Sequence, residues 1–142
     1  MKKSILCLVN FLAVVIFCVS LSACSQHDAA PDVWSEAIYT EDAEFGDGEK
    51  TVLVEVIAQD KSVTFTIHSD KETLGEALTE HGLIEGEKGA YGLYVKKVNG
   101  ITADYDKNQS YWGFNKAGES MMTGVDGTEI KDGDHYELVY TK

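Results

Sequence analysis

The stretch TVLVEVIAQDKSVTFTIHS, Thr51 to Ser69, decides the fold. Val52, Val54 and Val56 alternate with Leu53, Glu55 and Ile57, the pattern of a strand with one well-buried face. Gln59-Asp60-Lys61 marks a turn. Val63, Phe65 and Ile67 then alternate with Thr64, Thr66 and His68, which reads as a half-buried second strand. The two strands predict a hairpin.

Downstream, Ser69 with Glu72 three residues on matches a capping box and predicts a helix start. Leu74, Ala77, Leu78 and His81 fall on one helical face, and Gly82 can take the positive φ that ends a helix. About three turns of helix need packing to be stable. Gly82, Gly86, Gly89 and Gly92 read as a loop. Strands follow at Leu93–Val98 and Ile101–Asp104, joined by Asn99-Gly100, a two-residue hairpin turn. Another strand covers Tyr111–Asn115, and Lys116-Ala117-Gly118-Glu119 turns it back towards Met121 and Met122. Asp132-Gly133 makes a turn before the last strand, His135–Thr141, with Tyr136, Leu138 and Tyr140 on one face. Strand, strand, helix, then several strands predict an α+β, β-grasp-like domain over 51–142. One short helix packs on its mixed sheet.

Upstream, Lys2 and Lys3 precede an apolar run from Ile5 to Leu21, then Leu21-Ser22-Ala23-Cys24. A basic start, an apolar middle and small residues before a cut site predict an export signal over 1–23. The last four residues resemble the bacterial lipobox, which implies a lipid on Cys24 and a membrane-anchored, extracytoplasmic protein. Cys7 and Cys18 would leave with the signal, so the core must supply the stability without disulfides. Residues 24–50 read as the lipidated Cys and an acidic flexible linker. Ser25–Lys50 carries eight acids against one Lys, the single Pro, and apolar residues (Trp34, Ile38, Tyr39, Phe45) without a sustained period.

The whole chain has 24 acidic residues against 12 basic ones and a formal net charge of −12. That excludes nucleic acid as a partner, because no cationic surface is available for phosphates. No nucleophile–base pair is visible, so no enzymatic activity is expected. Asp104 to Asn108 resembles the start of a calcium loop but has Gln109 and Asn115 where Gly and Glu are needed. Asp126, Glu129, Asp132 and Asp134 read as turn chemistry. His27, His68, His81 and His135 show no ligand spacing. No metal site and no resident cofactor are expected. The informative cluster is aromatic: Tyr91, Tyr94, Tyr105, Tyr111, Trp112 and Phe114, with Met121 and Met122 behind them. Strand alternation sends Trp112 and Phe114 to one face and Tyr111 and Gly113 to the other. Such residues fill a core or form an apolar, polarisable ligand platform.

Thr73-Leu74-Gly75-Glu76-Ala77-Leu78, Tyr91-Gly92-Leu93-Tyr94-Val95, Val98-Asn99-Gly100, Tyr111-Trp112-Gly113-Phe114, Gly124-Val125 and Asp132-Gly133-Asp134 together resemble the transcobalamin-like C-terminal domain. That module is the small β-domain of the animal cobalamin carriers and also occurs alone in bacterial surface lipoproteins. In the carriers it caps one face of the corrin ring. The resemblance makes Trp112, Phe114, Met121 and Met122, with Tyr91, Tyr94 and Tyr111 around them, the expected ligand-binding residues. It implies cobalamin, another corrinoid or a similar flat ligand, captured for a transporter. The alternative is a protein-interaction module of the cell envelope, docking a surface protein with no small ligand.

Overall fold

The computed structural model describes residues 30–142. The expected export signal and the expected lipid attachment at Cys24 lie outside the described residues. The described fold is the unit Asp32–Lys142.

The hairpin forms as its alternation requires. β2 (Lys50–Ala58) pairs antiparallel with β3 (Lys61–Ser69), Val54 opposite Phe65 and Val52 opposite Ile67. Val52, Val54, Phe65 and Ile67 are fully buried. β9 (His135–Thr141) lies parallel to β2, with Val54 beside Tyr136 and Val56 beside Leu138. β7 (Tyr111–Lys116) runs antiparallel to β9, and the two-residue β8 (Glu119–Ser120) pairs with its end. With β1 (Ala43–Gly46) parallel to β3 at the far edge, the mixed sheet has the order β1-β3-β2-β9-β7-β8. Helix α1 (Leu74–Glu80) lies C-terminal to the hairpin with Leu74, Ala77 and Leu78 buried. This is the α+β arrangement expected. A smaller three-stranded sheet completes it: β4 (Ile84–Gly89), β5 (Gly92–Val98) and β6 (Ile101–Thr102). A short α2 (Tyr105–Asn108) precedes β7.

Three local expectations are corrected. The capping box is Thr73 with Glu76, not Ser69 with Glu72. Both quartets fit the motif, but Ser69 is the last residue of β3, paired with Lys50, and its Oγ accepts from the Lys71 amide. The glycine-rich segment is not a loop. It forms β4, with a bulge between Glu85 and Gly86, where a Cβ on Gly86 would overlap the Tyr94 carbonyl. Glycine here admits a close backbone approach. The third is the acidic stretch expected to be a flexible linker, which packs on the domain from Asp32 onward. Asp32 caps a 3-10 turn at Val33–Glu36, burying Trp34. The Trp34 indole donates to the Ala58 carbonyl at 2.8 Å. Tyr39 and Phe45 meet Phe65 edge-on, with centroids 5.7 and 5.5 Å away. The acidic residues of this strap are exposed, even where Asp32, Glu36, Asp42 and Glu44 bond to the domain through their carboxylates, which explains why composition alone read as a linker.

The turn chemistry of the acids holds the β9 end together. Asp132 Oδ1 accepts from the Thr51 amide at 2.8 Å. Asp134, largely buried, accepts from the Lys131 amide and from the Tyr136 hydroxyl at 2.6 Å, and pairs with Lys116 at 2.8 Å. Burial alone would raise the Asp134 carboxyl, but these donors outweigh it and hold the group below its ordinary value; burial and the Asp134 charge raise the Tyr136 phenol. A carboxyl depressed in the folded state stabilises above its unfolded value, near pH 3.9, and that contribution disappears as pH falls through the folded value. Asp134→Asn should therefore cost about 1–3 kcal/mol at pH 7 and flatten the acid limb of stability below about pH 4. Urea titrations from pH 2 to 7 test this; parallel curves for the two proteins would refute it.

Candidate functional site

β7 faces two ways. Trp112 and Phe114 point inward, where Trp112 meets Tyr140 edge-on at 5.5 Å and Phe114 stacks on Tyr136 at 5.8 Å. Tyr111 and Gly113 take the opposite face. β5 passes the inner side of β7 without pairing to it, because the smaller sheet is separate. The gap between them is an apolar cleft of about 120 Å3, walled by Leu93, Tyr94 and Val95 on one side and Trp112, Phe114 and Leu138 on the other. Gly124 and Val125 complete its lining. Gly124 lies against the carbonyls of Tyr91 and Leu93, so the loop after β8 runs beside the start of β5.

Of the seven expected ligand-binding residues, the structure gathers Tyr94, Trp112 and Phe114 at this cleft. Tyr91 and Met122 are 100% and 98% exposed on the two segments that meet at its Gly124 end. Met121 is half-buried and its amide donates to the Phe114 carbonyl, extending the β7–β8 pairing. Tyr111 stands on the other face of the sheet and does not join them. Sequence reasoning missed Leu93, Val95, Val125 and Leu138. All four are ordinary aliphatics; only the pairing of strands shows that they line a gap.

The Trp112 indole nitrogen is buried with no acceptor among the described residues. Leaving a donor unpaired at a buried site costs about 1–3 kcal/mol. His81 Nε2, at the C-terminus of α1, is in the same state.

A second, larger groove of about 690 Å3 opens between α1 and the β4–β5 hairpin. Lys71, Thr73, Glu76, Glu80, Lys88 and Asp126 line it, together with Leu93, which also walls the apolar cleft. α1 backs directly onto the 3-10 turn Val125–Gly127, since a Cβ on Gly75 would overlap the Asp126 carboxylate. Asp126 Oδ2 accepts from the Leu93 amide at 3.1 Å, fixing the residue that lines both cavities.

The stretch that began like a calcium loop is used otherwise. Asp104 Oδ1 caps α2 through the amides of Asp106 and Lys107, and Oδ2 pairs with Lys107 Nζ at 3.1 Å. The Lys107 contact is the main reason the Asp104 carboxyl titrates below its ordinary value. Among the described residues, no three His, Cys, Asp or Glu side chains are grouped to hold a metal ion.

The crystal structure of a proposed metal binding protein from Ruminococcus gnavus ATCC 29149 is similar, with 39% identity and a TM-score of 0.63, covering 66% of this chain and 98% of that one. Haptocorrin in complex with Cbi shares the fold at 16% identity and a TM-score of 0.55, covering 69% of this chain and 26% of that one. This chain thus spans about a quarter of the haptocorrin chain. No curated protein matches it. Residues 71–142 match the family model described as a domain of unknown function, DUF4430, and the chain belongs to that family.

Proposed function

We propose that this protein is a non-enzymatic ligand-capturing module, held on the outer side of a bacterial membrane by a lipid on Cys24. It takes a flat, partly apolar ligand, such as a corrinoid, against the Trp112–Phe114 cleft and passes it to a membrane transporter. The observation that carries this reading is the apolar cleft walled by Trp112 and Phe114, with the Trp112 indole N–H buried and unpaired beside it, so that a ligand parting the walls would meet a donor already removed from water. The fold shared with haptocorrin and the exposed Tyr91 and Met122 at the rim support it.

Size limits the mode of binding. A cleft of about 120 Å3 is well below the roughly 300–1,000 Å3 that encloses a drug-sized ligand. A macrocycle therefore lies across the mouth with one edge inserted. Much of it stays wet, so affinity is modest, as suits a carrier that must release its cargo.

Titration of the purified protein with hydroxocobalamin, followed in the visible spectrum, tests the corrinoid reading. A saturable shift is expected, weakened about tenfold in Trp112→Phe through loss of the indole donor. No spectral change and no retention at millimolar ligand would reject it. Mass spectrometry of the mature N-terminus tests the anchor: a diacylated Cys24 is expected, and an unmodified Met1 would remove it. Full exposure of Tyr91 and Met122 favours a second reading, a protein-docking rim. A specific adduct on crosslinking intact cells, without corrinoid binding, would put that reading first.

A further inference from the structure

Leu93 lines both the apolar cleft and the polar groove, and the neighbours Val125 and Asp126 line one each. On β4, Lys88 stands directly opposite Leu93 in the antiparallel register. Opposite residues project to the same side of a sheet with Cβ atoms about 5 Å apart. The Lys88 side chain therefore rises beside the wall that the two cavities share.

The charged groups around the groove are not equivalent. Glu76 reaches back to the Thr73 amide in the capping box. Glu80 pairs with Lys71 at 3.5 Å. Asp126 is held by the Leu93 amide. The two acids that precede Lys88 on β4 are also engaged with lysines of β5, Glu87 with Lys96 at 2.8 Å and Glu85 with Lys97 at 3.2 Å. Each of these groups is engaged by a neighbour within the fold. The Lys88 ammonium alone among the groove's charged groups has no hydrogen bond or ion pair to a described residue. Glu76 and Asp126 keep their negative charge because backbone amides are their donors, so the free Lys88 ammonium is the one place along the groove where an anionic group can be met by an uncommitted cation.

We infer that cleft and groove form one bipartite site, selective for an amphipathic ligand whose apolar ring enters beside Trp112 while an anionic arm crosses Leu93 to Lys88. The inference rests on the ligand-capture reading and adds the charge and length of the ligand to it. Volume supports it: the cleft alone holds one small ring, whereas the groove adds about 690 Å3 for the arm. Lys88 would be a specificity-determining residue and Leu93 the sill between the two halves.

A pair of fluorescent probes separates this inference from the reading beneath it. 8-Anilinonaphthalene-1-sulfonate carries a ring system and an anion; N-phenyl-1-naphthylamine carries the rings without the charge. The bulk field of a chain with net charge −12 disfavours the sulfonate, so tighter binding of the sulfonate requires a local cation. The expected result is tighter sulfonate binding, reduced about threefold by Lys88→Gln, with the neutral probe unaffected by that change. Trp112→Phe should weaken both probes. Equal binding of the two, or a sulfonate affinity indifferent to Lys88→Gln, overturns the anionic arm and leaves the cleft intact. Failure of both probes to bind, or indifference of both to Trp112→Phe, overturns the cleft and the inference with it. Lys88 is exposed on an edge strand, so its replacement leaves the fold in place and the comparison interpretable.

Discussion

Trp34→Ala is expected to lower the unfolding free energy by about 3–5 kcal/mol, read from urea titration by far-UV circular dichroism. Trp34 is 7% exposed, and its indole N–H satisfies the carbonyl at the end of β2. Truncation removes the largest apolar body of the strap and leaves the Ala58 carbonyl without that donor. Domains of this size have only about 5–15 kcal/mol in total, so the midpoint should move far. Were 32–50 a flexible linker, the same change would stay within about 0.5 kcal/mol. Glu41→Ala, on the solvent side of the strap, is the matched control and should be silent. An unchanged midpoint in Trp34→Ala would return the strap to the status of a tether. Limited proteolysis gives an independent reading, with new cleavage between Glu36 and Asp42 expected only in the Trp34 variant.

The strap also shows where sequence reading reaches its limit. β2, β3 and β9 are legible because each presents buried residues at every second position, a period that only a one-sided strand produces. The turn at Asn99-Gly100 is legible because both residues take positive φ, 51° and 82°. Trp34, Tyr39 and Phe45 bury themselves at intervals of five and six residues, which match neither a strand nor a helix. Their docking depends on partners at Ala58, Phe65 and Asn99 that local pattern does not reveal. β4 fails for a different reason. Only Ile84 is buried along it, so it has no alternation to read. It is a strand because β5 supplies backbone partners. The candidate site inherits both cases. Trp112 and Phe114 are assigned to one face by parity alone, and Tyr111 to the other. The opposition of Lys88 and Leu93, and the cleft behind Leu93, follow from the pairing of β5 with β4, the one strand that the glycine spacing disguised as a loop.

Asn99→Ala should cost about 3–5 kcal/mol for reasons that separate cleanly. Asn99 is fully buried, and its amide behaves like one more strand residue. Oδ1 accepts from the Tyr39 amide at 2.9 Å and Nδ2 donates to the Tyr39 carbonyl at 2.8 Å. Its own carbonyl accepts from Ile38. Alanine would orphan both Tyr39 groups and occupy a left-handed conformation that it adopts less readily than asparagine, whose polar side chain is favoured there. Asn99→Gly keeps the conformational freedom and loses only the side-chain bonds, so it should fall between wild type and Asn99→Ala. Asn99→Asp keeps the acceptor, turns the donor into a second acceptor facing the Tyr39 carbonyl, and buries a charge, so it should be at least as damaging as alanine. Because Trp34 and Asn99 fasten opposite ends of one short segment, the double variant with Trp34→Ala should cost less than the two single changes together. Once either end is released, the other fastening has little left to hold. Simple additivity in that cycle, or an Asn99→Gly protein as stable as wild type, would show that Asn99 serves its turn alone and that the strap is not fastened as a unit.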